Sequence, residues 1–358
     1  MKFNVKIIMV SLLALVCVFT ACSKSKEEGS KNLPVAKGKP GEMILIMDSA
    51  QWKGKLGDIV YDSVLAQTVD ILPQPEPMFT ISHVRPGGFE SILRQARNVV
   101  MVTTLDSKSS DTKRMKQFFS EDALKEVSKK GKAFMQVNRD VYAKGQAMVM
   151  LFAPSEDLML EFLENPENQR KIASVFNDLE NKNLMRSIGG VYDKTMKNKL
   201  KKATGISLEL MPGFQLAKET DDFIWLRHPE LKVDKNIFIA KKPYTSQEQF
   251  SPDSIIDWRN QIAKEHLYGD PDNPESFVVT EKLVPVKTKT MELDGHHAVE
   301  AKGLWKTNNI SMGGPFVSYV MVNDGGDMLY YIEGFVYAPQ QKKREYMREM
   351  QVMLQSVD

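Results

Sequence analysis

Four side chains in the second half of the sequence have the types that hold a small polar ligand. The strand-like stretch "FIWLRHP" places Trp225 and Arg227 on one face, because alternate residues of a strand share a face. Arg259 lies in the helix-like stretch "IIDWRNQIAKEHL", and Trp305 follows in "KGLWKT". A guanidinium beside an aromatic surface binds a carboxylate or a sugar, so these four are candidate ligand-binding residues. The competing interpretation is that the tryptophans only cover a sheet, as large aromatic residues usually do.

Two adjacent histidines suggest metal or acid–base chemistry, but their setting argues against it. In "ELDGHHAVEAKGLW", the Asp-Gly pair is the preferred two-residue turn of a β-hairpin. Neighbouring strand residues point to opposite faces, so His296 and His297 cannot bind one ion. His296 and Glu300 share a face but lie roughly 13 Å apart, which is too far for one zinc. The predicted cross-strand pairs are Leu293 with His296, Glu292 with His297, and Lys289 with Glu300.

Other short motifs predict neither a cofactor nor a metal. The sequence lacks the glycine-rich phosphate loops, the nucleophile elbow of hydrolases and the zinc motif His-Glu-x-x-His. The stretch 270–281 resembles a calcium loop, but Glu275 stands where that loop requires glycine. "SMGGPFVSY" (311–319) leads into a strand instead of a helix, which favours a turn or bulge over an anion site. We therefore assign no catalytic residue, and a non-enzyme is the favoured class.

The N-terminus has the features of a lipoprotein signal. Lys2 and Lys6 precede the apolar run 7–21, which is short for a membrane-spanning helix. The run ends in "VFTAC", which resembles the bacterial lipobox and makes Cys22 the predicted site of lipid attachment. Acyl chains there would hold a soluble protein on a membrane. The alternative is an ordinary secretory signal with a chance cysteine.

Composition and cysteine content limit the function classes. A chain of 358 residues is expected to form two domains. Its 48 basic and 46 acidic residues give a net charge of +2, which argues against nucleic acid as a partner. Cys17 lies in the signal and Cys22 is predicted to carry lipid. The mature domains therefore have no disulfide, no thiolate metal site and no cysteine nucleophile.

The order of strand-like and helix-like stretches predicts an α+β protein with two sandwich-like domains. Each domain is expected to be a largely antiparallel sheet covered by helices. Residues 133–154 align without gaps on residues 318–339, which suggests a divergent duplication, although chance identity is the alternative. The predicted divisions are a signal peptide at 1–21, a flexible tether at 22–41, an N-terminal domain at 42–202 and a C-terminal domain at 203–358.

Two resemblances extend this interpretation. The strand and helix order of the second half is similar to that of Mog1/PsbP-like α/β sandwiches. "DDFIWLRHP", "KGLWKTNNISMGGPFVSY" and "IEGFVYAPQQKKREYMREM", behind a lipobox, resemble an uncharacterised family of Bacteroidota-type lipoproteins, a domain of unknown function. The resemblance implies a cell-envelope location and supplies no catalytic residues.

Taken together, these features predict a lipid-anchored α+β protein of the cell envelope, an outer-membrane lipoprotein facing the periplasm or the cell surface. Its predicted role is non-catalytic binding of a small ligand or an envelope protein. Two alternatives stay open: a structural subunit of an outer-membrane assembly, and a hydrolase with unassigned residues. An enzyme needs convergent titratable groups in a cleft, whereas a binding protein needs an aromatic or apolar cleft with few polar groups.

Overall fold

The structure is a computed structural model that describes residues 33–270 and 272–358, and it contains two β-sheets. The predicted signal peptide, Cys22 and the tether before residue 33 lie outside the described residues. The first sheet consists of β1 (Glu42–Ile46), β2 (Thr80–Val84), β3 (Asn98–Thr104), β4 (Phe134–Arg139) and β5 (Ala147–Ala153). The second consists of β6 (Gln215–Glu219), β7 (Phe223–Pro229), β8 (Asp234–Pro243), β9 (Tyr268–Asp270), β10 (Asn273–Thr280), β11 (Lys287–Leu293), β12 (His296–Thr307), β13 (Gly313–Val322) and β14 (Met328–Tyr337).

Helices cover both sheets. Those of the first half are α1 (Ser49–Trp52), α2 (Lys55–Asp58), a π-helix (Ile59–Leu65), a 3-10 turn (Pro86–Gly88), α3 (Ser91–Arg94), α4 (Ser110–Lys116), α5 (Glu121–Lys130), α6 (Glu156–Glu164) and α7 (Pro166–Gly189). Those of the second half are α8 (Lys194–Thr204), a 3-10 turn (Gln247–Phe250), α9 (Pro252–His266) and α10 (Arg344–Leu354). The predicted α+β class with two domains is confirmed.

The first sheet differs from the predicted antiparallel one. Its strand order is β2-β1-β3-β5-β4, and β1, β2, β3 and β5 pair in parallel, while only β4 is antiparallel. Parallel strands need crossover connections, and the helical segments after β1, β2 and β3 supply them. β3 and β5 are buried along their whole length, as expected for strands covered on both faces.

The proposed duplication is not supported by the strand register. The alignment places Asn138 on Asn323 and Met148 on Glu333, and Asn138 pairs with Met148 in the first sheet. Glu333 instead pairs with Ser318 in the second sheet. Both regions are antiparallel hairpins followed by Ala-Pro and a helix, so the likeness is local and the hairpins have different registers.

The second sheet is antiparallel throughout and curls. Its order is β6-β7-β8-β14-β13-β12-β10-β9, with β11 pairing on β12. The curl brings Tyr268 of β9 against Trp225 of β7, with ring centroids 5.0 Å apart. α8 and α10 pack on one face, and α9 packs on the other. On the face covered by α9, the curl leaves an opening between the ends of the strands. An aromatic pocket lies in this opening.

The two domains meet around the N-terminus of α10. The Glu76 carboxylate accepts hydrogen bonds from the backbone N–H groups of Lys343 and Arg344, at 2.7 and 3.0 Å. The Arg344 guanidinium donates to the Pro77 carbonyl at 2.7 Å.

α8 belongs to the second domain, because Leu200 is part of that core. The sequence-based boundary after residue 202 falls within the last turn of this helix.

The end of the predicted tether is attached to the first domain. The N–H of Ala36 donates to the Lys144 carbonyl at 2.9 Å, and the N–H of Lys37 donates to the Gln95 carbonyl at 2.8 Å. These backbone bonds hold residues 34–37 on the domain, so this part of the predicted tether is not a free linker. Within the described residues, no helix has the length and apolar character needed to cross a bilayer.

Candidate functional site

An aromatic pocket of about 90 Å³ lies in the mouth of the curled sheet. Seven strands of that sheet supply or adjoin its walls, so the pocket depends on the curl. Among the predicted ligand residues, Trp225, Arg227 and Trp305 line it. The remaining lining residues are Asp234, Asn236, Tyr268, Gly269, Val278, Thr307, Met312, Phe335 and Tyr337. This volume is well below the roughly 300–1,000 Å³ of pockets that enclose a drug-sized ligand, so there is room only for an end group.

The indole N–H groups are used inside the protein. Trp225 Nε1 donates to Asn236 Oδ1 at 3.0 Å, and Trp305 Nε1 donates to the Val336 carbonyl at 3.3 Å. Both tryptophans are buried, which fixes their rings as rigid walls. A Cβ on Gly314 would lie 2.0 Å from the Val336 oxygen and 3.0 Å from Trp305 Nε1, so only glycine lets β13 approach this closely.

The polar part of the pocket is an ion pair between Arg227 and Asp234, through Nη2 and Oδ2. The Arg227 guanidinium carbon lies 5.6 Å from the centroid of the Trp225 ring. Burial opposes the charge on Arg227, but Asp234 and Tyr268 outweigh that effect and raise the arginine's pKa above its ordinary value. The Arg227 guanidinium is therefore charged at neutral pH. Two of its buried atoms, Arg227 Nε and Asp234 Oδ1, have no hydrogen-bond partner in the part of the chain that is described.

Arg259, the fourth predicted residue, is not in the pocket. It lies in α9 and makes a bidentate pair with Glu333 of β14, at 2.9 and 2.7 Å. A third bond joins its Nη1 to Thr280 Oγ1 at 3.0 Å. The arginine is 1% exposed and Glu333 is 0% exposed, so a ligand cannot reach either. The expectation that Arg259 joins the tryptophans at a ligand site is not met, because a partner distant in sequence holds it in the core.

The histidine hairpin forms with the predicted register. Asp294 and Gly295 both have positive φ, 50° and 77°, and the three predicted cross-strand pairs are present. His296 Nε2 lies 2.7 Å from Asp324 Oδ1, while His297 stands edge-on to Phe250. Within residues 33–270 and 272–358, no group of three His, Cys, Asp or Glu is placed to hold a metal.

The two other motifs, the calcium-loop likeness at 270–281 and the glycine-rich stretch at 311–319, lie in strands. Residues 273–280 form β10, so the calcium-loop likeness has no loop to support it. Gly313 and Gly314 begin β13 and pair with Lys306 and Trp305, which agrees with a turn feeding a strand.

A polar cluster that could not be recognised from the sequence lies at the carboxyl ends of the first sheet's parallel strands. Parallel sheets often bind ligands there, at the point where connections leave in opposite directions. Ser109 Oγ donates to Asp48, and the N–H of Thr112 donates to Ser109 Oγ at 2.9 Å. Burial opposes the charge on Asp48, but the Ser109 hydroxyl, two N–H groups of α1 and Arg85 together lower its pKa. Asp48 and Ser109 thus cap helices and hydrogen-bond to each other, which leaves neither free for a ligand. Arg85 is paired with Asp111 at 3.1 Å.

The second feature missed from sequence is a cleft of about 680 Å³ between the domains. Its walls come from the loop 67–72, α7, β11, β12 and α10. No single stretch of sequence contains more than three of its charged residues, so no local signal marks it.

Comparisons with known protein families find two domains of unknown function. One family model, DUF8532, matches residues 36–189, and another, DUF4837, matches residues 193–356. The matches meet just before α8. No curated protein matches the chain. These findings agree with the resemblance to an uncharacterised family and assign no activity.

Proposed function

We propose that the protein is a lipid-anchored binding protein of the cell envelope whose aromatic pocket takes a hydroxyl-bearing end group, such as that of a sugar. The observation that carries this proposal is the Arg227–Asp234 pair at the edge of a rigid tryptophan pocket. Small-ligand sites typically combine apolar walls with a few polar groups that fix orientation.

The charges of the pocket favour a neutral polar group over a carboxylate. Arg227 keeps 35% of its side chain exposed and Asp234 keeps 23%, so an entering group meets a cation and an anion together. A carboxylate would gain from Arg227 but would be repelled by Asp234. A hydroxyl can accept from the guanidinium and donate to the carboxylate at once. Sugar C–H faces also stack on aromatic rings, and Tyr268, which is 41% exposed, provides such a ring at the pocket beside the buried tryptophans.

The anchor part of the proposal rests on the sequence. Lys2, Lys6, the apolar run and Ala21 before Cys22 resemble a lipoprotein signal, and the likeness to Bacteroidota-type lipoproteins agrees with it. The chain is attached to the first domain from residue 34 onward, which leaves about a dozen residues after Cys22 as a tether. Changing Cys22→Ser should move the protein from the membrane fraction to the soluble fraction after cell lysis. Unchanged membrane retention would contradict the anchor.

The pocket part is tested with the mature chain on a panel of mono- and oligosaccharides. Binding is measured by tryptophan fluorescence and confirmed by calorimetry. Arg227→Leu and Asp234→Asn should each weaken binding at least about tenfold, because a hydrogen bond to a charged group contributes about 1.5–3 kcal/mol. The matched control is Arg85→Leu, which removes another Arg–Asp pair outside the pocket. Absence of saccharide binding, or equal loss in the control, would contradict the proposed ligand class.

A further inference from the structure

The interdomain cleft, at about 680 Å³, is much larger than the aromatic pocket of about 90 Å³, and its charge is one-sided. Six basic residues line it: Arg170, Lys287, Lys289, Lys302, Arg344 and Arg348. Two acidic residues, Asp70 and Glu300, stand against them. The volume of about 680 Å³ lies within the range of ordinary small-molecule sites. For a chain with a net charge of only +2, this concentration of cations is a local feature.

The two acids are already occupied. Asp70 pairs with Lys287 at 2.8 Å across the cleft, and Glu300 pairs with Lys302 at 3.1 Å. Glu300 also accepts the Tyr319 hydroxyl at 2.9 Å. Neither carboxylate therefore neutralises the remaining cations.

Two arginines of α10 are held in fixed positions at the cleft. Arg348 donates to Asn181 and Asn177 of α7, at 3.0 and 3.2 Å, and its Nε pairs with Glu345 at 3.2 Å. Arg344 also pairs with Glu345, at 2.6 Å. These contacts join the domains, so the walls are preformed and a ligand does not need to order them.

Lys289 of β11 and Arg170 of α7 are the basic residues of the cleft left for a ligand, and Lys302 of β12 shares the Glu300 carboxylate with the Tyr319 hydroxyl. Lys289 and Arg170 are exposed and carry no ion pair in the part of the chain that the structure describes. Lys287 and Lys302 are direct partners in the β11–β12 ladder. Like charges directly opposite each other in a ladder are destabilising, and Asp70 and Glu300 already offset this repulsion, so the unpaired charges of the cleft are those of Lys289 and Arg170.

We infer that the interdomain cleft binds an anionic ligand with at least two phosphate or carboxylate groups. Lys289, Lys302 and Arg170 contact its charged groups from the two walls. The apolar part of the lining, from Met78, Val317 and Met347, accommodates a less polar body between those groups. The ligand is either a free oligoanion or an anionic lipid headgroup, which share this chemistry. This site is separate from the aromatic pocket and does not depend on the saccharide proposal.

The test is calorimetric titration of the mature chain with inorganic pyrophosphate and with citrate. Flotation is measured in parallel with phosphatidylcholine vesicles that contain or lack phosphatidic acid. Lys289→Gln with Lys302→Gln should weaken binding about tenfold or more, since each lost charged hydrogen bond costs close to that factor. Lys289→Arg should retain it. Raising the salt concentration should weaken binding, because the lysines are accessible to screening ions.

The matched control compares two single variants, Lys287→Gln in the cleft and Lys55→Gln outside it. Lys55 is 67% exposed and paired with Glu164, and Lys287 is 62% exposed and paired with Asp70, so the two changes remove the same charge from similar surroundings. Lys287→Gln leaves the Asp70 carboxylate of the cleft without its counter-charge and should therefore weaken the anion's binding, whereas Lys55→Gln should not. Pyrophosphate or citrate binding lost in the cleft variants identifies a free anion, and binding only to anionic vesicles identifies a headgroup. No binding of any probe, or equal loss with Lys55→Gln, would overturn the inference.

Discussion

Two arginine–carboxylate pairs on the same face of the second sheet have opposite surroundings. Arg259 and Glu333 are enclosed, and the guanidinium lies 4.0 Å above the Phe316 ring. Arg227 and Asp234 are only partly covered and lie at the aromatic pocket. From sequence alone, both arginines were equally good candidates for a ligand site.

The difference between the pairs lies in where their hydrogen bonds go. Glu333 accepts from Arg259 twice and from the Tyr331 hydroxyl at 2.8 Å. The enclosed pair therefore holds α9 on the sheet and has nothing to offer a ligand. The open pair leaves Arg227 Nε and Asp234 Oδ1 without partners in the described residues. A buried pair completed from within is structural, whereas an open and incomplete pair is a candidate for binding.

The largest expected effect comes from breaking the enclosed pair. Arg259→Leu leaves Glu333 buried without its counter-charge and should lower the free energy of unfolding by about 3–5 kcal/mol. Urea denaturation followed by circular dichroism measures the loss. The double variant with Glu333→Leu should recover most of it, because two apolar side chains replace the pair. A loss below about 1 kcal/mol in the single variant would mean that the enclosed pair does not hold α9.

A much smaller effect on stability is expected from the open pair. Arg227→Leu should change the free energy of unfolding by less than about 1 kcal/mol, because partly exposed ion pairs contribute little. The same denaturation experiment applies, with Arg85→Leu as the reference, because it removes another Arg–Asp pair whose arginine is 66% exposed. If Arg227→Leu were as destabilising as Arg259→Leu, the distinction between structural and binding pairs would fail.

Local features of the second domain could be predicted from sequence. The hairpin at Asp294-Gly295 was predicted with its correct register, because the turn residues and strand alternation determine it within a few residues. Trp225 and Arg227 share a face and line one pocket for the same reason. Alternation is a local property, and the sequence displays it directly.

Features that depend on distant pairings could not be predicted. No residue near Arg259 in the sequence indicates that its partner is Glu333, which lies 74 residues away in the chain. The parallel pairing of β1 with β2 and β3 was missed because buried parallel strands and buried antiparallel strands both read as short apolar runs. The cationic cleft combines residues from separate segments of both domains, so only the folded chain brings them together.

The smallest expected effect is on the pH dependence of stability. It concerns the enclosed end of α9 and not the open pocket. His266, at the end of α9, stacks on Phe223 with ring centroids 4.1 Å apart. Burial and then Lys218 lower its pKa below the ordinary value, and they outweigh Glu265 and Asp222. The unfolded chain therefore takes up this proton at higher pH than the folded chain does.

Stability from neutral His266 is fully present above the ordinary histidine pKa, about 6.5, and is lost as pH falls from there through the lower folded value. His266→Phe keeps the stacking on Phe223 and removes the titration. The fall in unfolding free energy between about pH 7 and pH 5 should be smaller in this variant than in the wild type. Comparison at about pH 8, where His266 is neutral in both states, separates this effect from any change in packing. If the unfolding free energy fell equally with pH in the two proteins, the pH sensitivity would come from groups other than His266.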